Sequence, residues 1–83
     1  VKLVKEQITF DYEGATHKAD RATFSQAEMI LKELSEIGED GLKALALQKK
    51  FLMKSGLKED LIASLQMHHI TLLFEEIIGS KKD

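Results

Sequence analysis

Three histidines, three pairs of adjacent carboxylates and one Lys-Ser-Gly run are the residues from which this sequence could build chemistry. His68 and His69 adjoin, and neighbours on a helix point about 100° apart, which suits them poorly to share an ion. Neither has an acidic or histidine partner three or four positions on. His17 would have to be carried in by the fold, and a structural zinc site takes about four ligands. The expectation is no metal site, with one histidine at a helix start and another half-buried against a core. Glu39-Asp40, Glu59-Asp60 and Glu75-Glu76 are the acidic pairs. Acid–base catalysis needs a carboxylate held in an apolar pocket with its pKa raised. Each pair here instead falls on helical sequence near lysines, as solvated faces do. Lys54-Ser55-Gly56 echoes a phosphate-cradling loop with lysine and glycine in the wrong order, and no G-x-S-x-G is present. The reading is a non-enzyme, without catalytic residues, cofactor or small-molecule substrate.

The 83 residues suffice for one domain, 1–83. A domain this small hides only about 60% of the surface its unfolded chain exposes, so it leans on disulfides, a metal or a partner. Cysteine is absent, which leaves helix packing and association with another chain, and fits a cytoplasmic setting. Lys plus Arg number 12 against 14 Asp plus Glu, a net charge of −2, so there is no basic footprint for nucleic acid. The lysines at 49, 50 and 54 and at 81 and 82 are offset by nearby acids. A helix-turn-helix over Lys43–Leu65 would drive Glu59-Asp60 toward phosphates; a small antitoxin-like or repressor-like DNA-associated regulator is therefore the alternative reading and not the first. A metal-binding module or enzyme subunit ranks behind both. The longest apolar run, Ile70 to Phe74, is broken by Thr71 and is far shorter than a membrane span, and Val1–Glu6 lacks the apolar region of a signal peptide.

The elements that would position any site follow from periodicity. Val4, Ile8, Phe10 and Tyr12 share one face of an alternating segment, Glu13-Gly14 offers a tight turn, and Ala15–Ala19 returns; residues 1–20 thus read as a β-hairpin. Thr23 and Gln26 have capping-box spacing, with Ser25 and Glu28 as an overlapping second box. Phe24, Ala27, Ile30, Leu31, Leu34 and Ile37 then form a helical stripe, ended by a left-handed Gly38. Glu39-Asp40 starts a second helix with a wide apolar face from Leu42 to Leu52, and Gly56 stops it with Leu57 placed for a Schellman motif. A short helix from Lys58 to about Leu65 and a last one carrying Ile70, Leu73, Phe74, Ile77 and Ile78 complete a helical core over 23–79. Residues 80–83 read as a flexible tail. The sum is an α+β domain, mostly helical: an N-terminal β-hairpin followed by three to four packed α-helices.

A chain 43% hydrophobic and this short is pressed to hide all its apolar side chains, and exposed apolar patches mark interaction surfaces. The hairpin opening, Arg21-Ala22-Thr23-Phe24-Ser25-Gln26-Ala27-Glu28, Phe51-Leu52-Met53-Lys54-Ser55-Gly56-Leu57-Lys58-Glu59-Asp60-Leu61 and the close from Leu72 to Lys82 together resemble the small tail assembly chaperones of long-tailed bacteriophages over nearly the whole chain. The resemblance implies a non-enzymatic protein in the host cytoplasm that escorts the long helical tape measure protein and recruits tail tube subunits. It also implies a longer second product made by frameshifting near Ser80-Lys81-Lys82. On that view the Leu42–Leu52 and Ile70–Ile78 faces dock the partner, through Leu45, Phe51, Leu52, Ile70, Phe74 and Ile77, with Phe51 and Phe74 as anchors. An exposed Leu3–Tyr12 edge strand offers a route to a homo-oligomer by pairing between subunits.

Overall fold

The computed structural model of the protein describes residues 1–79; the polar segment 80–83, expected to be a tail, lies outside them. Two antiparallel strands, β1 (Gln7–Tyr12) and β2 (Ala15–Asp20), are followed by four helices: α1 (Phe24–Ile37), α2 (Gly41–Lys54), α3 (Glu59–Ser64) and α4 (Met67–Ile78). The protein is α+β and mostly helical. Glu13 and Gly14 link the strands at φ 49° and 80°, the type I′ geometry whose twist matches that of the flanking strands. The register pairs Ile8 with Ala19 and Phe10 with His17. Alternation then turns Ile8, Phe10 and Tyr12 inward, with Ile8 and Ala19 buried.

The strand starts later than its alternation predicts. Gln7 pairs with Asp20, the last residue of β2, and the next backbone N–H, that of Arg21, donates to the Glu6 carbonyl at 3.3 Å. There the returning chain turns away, leaving nothing for residues 1–5 to pair with, and Leu3 and Val4 are exposed.

The junction after β2 ties the hairpin to the helices. Asp20 N–H donates to the Ser55 carbonyl and Ala22 N–H to that of Ile77, both at 2.8 Å. These satisfy carbonyls at the ends of α2 and α4 that lack partners within their own helices. Arg21 Nη1 donates to the Glu76 carbonyl at 2.6 Å. The Glu6 carboxylate stands 3.8 Å from Nε, too far to hydrogen-bond that buried atom, which has no such partner, and the Glu76 carboxylate stands 3.8 Å from Nη2.

Helix ends follow the sequence signals in three places and depart from them in one. The Thr23 hydroxyl accepts from Gln26 N–H at 3.1 Å and Gln26 Oε1 from Thr23 N–H at 3.0 Å, a closed capping box; the Ser25–Glu28 alternative lies inside the helix. Asp40 caps α2 by accepting from Lys43 N–H at 3.2 Å. After α2, Gly56 N–H donates to the Met53 carbonyl at 3.0 Å and Leu57 N–H to that of Leu52 at 3.3 Å. That is the Schellman pair, with Gly56 at φ 106° and both apolar residues, Leu52 and Leu57, in the core. Gly38 departs: at φ 60°, ψ −123° it is not a left-handed cap but the first central residue of a type II′ turn, closed by Asp40 N–H to the Ile37 carbonyl at 3.4 Å. A tight turn of this kind folds α2 back against α1.

The core gathers Ile8 and Ala19 from the hairpin, Ile30 from α1, Phe51 and Leu52 from α2, Leu57 and Ile62 around α3, and Ile70, Leu73 and Ile77 from α4. Only one of these comes from α1, which packs chiefly on α2. A helix seated on one neighbour buries a narrow seam. Ile30 is therefore buried and Leu34 partly so, whereas Phe24 and Leu31, expected in the buried stripe, are 83% and 51% exposed. The accessible surface is 6476 Å², against about 5,000 Å² for a compact monomer of this size.

Candidate functional site

The residues able to do chemistry are dispersed. His17 stacks on Phe10 with ring centroids 5.3 Å apart, and His69, half-buried, meets Tyr12 edge-on at 5.9 Å. His68 and His69 lie closer than their helical spacing predicts, with centroids 4.1 Å apart. His69 Nδ1 accepts from the Gln66 N–H at 3.3 Å, which turns the ring back over the start of α4, beside His68. That bond occupies one ring nitrogen of His69. Among the described residues no group of three or more His, Cys, Asp or Glu is placed to hold a metal ion.

Glu59 pairs with Lys49 across the α2–α3 corner. The hydrogen bond from Lys49, and then its charge, hold the Glu59 carboxyl below the usual carboxylate range. This is the reverse of what a general acid needs. A lowered folded-state pKa contributes stability that is present above the unfolded pKa and lost as pH falls through the folded one. Glu59→Gln is therefore expected to be slightly less stable than the wild type at pH 7 and indistinguishable from it once the medium is acid enough to protonate Glu59. Paired urea titrations at the two pH values measure this; a gap that persists in acid would rule out the ion pair as its cause.

The six residues assigned to docking by sequence divide sharply. Leu52 and Ile77 are the two largest fully buried side chains, and Phe51 and Ile70 are buried with them. Phe74 packs partly buried against that cluster and meets Phe51 edge-on at 5.2 Å. Only Leu45 is exposed. The correction has a plain cause. The helical stripes that carry Leu52, Ile70 and Ile77 are the faces α2 and α4 turn to each other and to the hairpin, so a partner cannot touch them while the domain stays folded.

The accessible apolar surface lies elsewhere. Between α1 and α2 runs a cleft of about 230 Å³ whose apolar lining is Met29, Ile30, Leu47 and Phe51, with Gln26, Glu33, Lys50 and Lys54 around it. Phe51 is thus a floor residue of the cleft rather than a projecting anchor. Met29 is exposed at the cleft itself; away from its lining, Phe24 and Leu31 project from α1 and Leu42 and Leu45 from the first turns of α2. A second groove, of about 360 Å³, opens between the hairpin and α4, where Phe10, Tyr12, Leu65, Leu72 and Leu73 line an apolar surface bordered by Asp11, His69 and Glu76. The Tyr12 hydroxyl donates to the Ser64 carbonyl at 2.9 Å across its end.

Phe24 and Leu31 fit the α1 period, and periodicity does not say how many neighbours a helix has. Leu42 lay within the wide α2 face, and no sequence signal separates its exposed half from its buried half. The helix that would enter a DNA groove, α3, has six residues and opens with Glu59 and Asp60, an arrangement that repels phosphate. Among the described residues no helix is long and apolar enough to cross a membrane. Comparison of the chain with protein-family models, with curated proteins and with solved structures found no match.

Proposed function

We propose that this chain is a non-enzymatic protein-binding module that escorts a long helical partner, in the manner of the tail assembly chaperones it resembles. Its partner on this reading is a phage tape measure protein, to which it helps recruit tail tube subunits. The observation that carries the proposal is the exposed apolar set on the α1–α2 pair: Phe24, Met29 and Leu31 with Leu42 and Leu45. Five large apolar side chains left in water on two adjacent helices are apolar surface available to a partner. An amphipathic helix laid over a cleft with an apolar floor and a charged rim is a recurrent mode of peptide recognition. At about 230 Å³ the cleft falls below the roughly 300–1,000 Å³ of small-molecule pockets, which favours an anchoring side chain over a free ligand.

The test is co-expression with a tape measure protein, followed by affinity purification and light scattering. Co-purification of several copies per partner supports the reading. A chain that purifies alone while the partner stays insoluble overturns it. Salt-sensitive binding to random duplex DNA would move the reading to the DNA-associated alternative.

A further inference from the structure

We propose that the segment Lys2–Lys5 of one copy docks in the groove between the hairpin and α4 of a second copy, linking copies head to tail. Two independent features meet in this assignment. Residues 1–6 precede β1 without regular structure, and within them Leu3 and Val4 are 90% and 69% exposed, flanked by Lys2 and Lys5. The groove offers Phe10, Tyr12, Leu65, Leu72 and Leu73, with Leu72 56% exposed, and the carboxylates at its border are Asp11 and Glu76. Basic-apolar-apolar-basic faces apolar-with-acid: the complement is in both hydrophobicity and charge, and charge complementarity of this sort fixes register and partner choice.

Both carboxylates have contacts of their own and remain available. Asp11 Oδ1 accepts from the Thr16 hydroxyl at 2.7 Å and keeps a second oxygen. Glu76 stands 3.8 Å from Arg21 with its side chain 48% exposed.

The segment does not serve its own groove. Its root is pinned where Arg21 N–H bonds the Glu6 carbonyl. From there Leu3, three residues away, reaches about 10 Å, enough for the Glu76 end of the groove, which meets the root through Arg21, but not for Phe10, four strand residues along β1 at about 13 Å, or for Tyr12 beyond it. Val4 and Lys5 run instead toward Thr23, Gln26, Lys54 and Ser55. The root lies at the Gln7–Asp20 end of the hairpin, and the groove extends to Tyr12 at its turn. A donor at one end and an acceptor toward the other leave each linked pair with one free segment and one free groove, so the contact repeats, into a ring where the rotation closes and an open array where it does not. Copies arrayed in this way suit a long partner, although the contact itself needs none.

Sedimentation of the purified chain across a concentration series tests the proposal. The wild type is expected to rise in average mass past the dimer as concentration increases, and added salt to reverse the rise. Leu3→Asp with Val4→Asp removes the donor, and Leu72→Asp removes the acceptor. Each is expected to weaken association by about tenfold or more, as follows from taking a leucine out of an interface and adding a charge. All three positions are exposed, so circular dichroism and the urea midpoint should match the wild type and separate lost docking from lost folding. The decisive sample mixes the two variants: one has only a groove and the other only a segment, so the mixture is expected to give a one-to-one dimer and nothing longer. A wild type that stays monomeric at high concentration or stops at the dimer, variants that associate as the wild type does, or a mixture that remains monomeric would each overturn it.

Discussion

Leu52→Ala is expected to cost about 2–5 kcal/mol of folding stability, with the upper half of that range the better expectation. Leu52 is 0% exposed and its main chain closes the Schellman motif, with its carbonyl accepting from Leu57 N–H at 3.3 Å. Truncation leaves a cavity where the hairpin, α2 and α4 converge. The bond from Asp20 N–H to the Ser55 carbonyl, three residues on, ties the hairpin to this end of α2 and opposes collapse into it. A domain of this length holds about 4–12 kcal/mol in all, so the variant is expected to be partly unfolded at 37 °C. Urea unfolding followed by far-ultraviolet circular dichroism measures the loss. A change below about 1 kcal/mol would mean that the core is looser around Leu52 than its enclosure implies.

The local elements were legible in the sequence because each rests on a short-range signal. The Thr23–Gln26 box, the Glu13-Gly14 turn and the Gly56-Leu57 stop involve residues within a few positions of one another, and the structure realises all three. Three things depended on distant partners and were not legible. Whether Leu3 and Val4 belong to a strand is decided by where β2 ends, at Asp20. Whether Phe24 and Leu31 are covered is decided by how many elements pack on α1. Gly38 could end a helix in more than one way, and its type II′ turn is set by the demand that α2 return along α1. Of the docking residues, Leu52, Ile70 and Ile77 fall in the core for the same kind of reason. Periodicity marks the apolar face of each helix, and in a domain with one core the strongest stripes are the ones used inside it. The surface left for a partner is the remainder, and sequence spacing has no way to name a remainder.

Phe24→Asp combined with Leu31→Asp is expected to leave the fold intact while weakening capture of the long partner by about 100-fold or more. The stability side rests on exposure: both side chains stand largely in water, and surface substitutions of that kind stay within about 0.5 kcal/mol. Phe24 is the first residue of α1, where a carboxylate faces the positive end of the helix dipole and is favoured. The binding side rests on the rule that one or two large side chains carry most of an interface, each contributing about 2 kcal/mol or more when lost, and on the added charge, which a partner's apolar face cannot solvate. Phe51→Asp makes the informative contrast. It would put a carboxylate under the cleft floor against Phe74, so its loss of binding would come with loss of folding and say nothing about the surface. Affinity capture of the partner by the double variant, read beside its circular dichroism spectrum, separates the two causes. Undiminished capture by a folded Phe24→Asp, Leu31→Asp chain would remove the α1 face from the binding site.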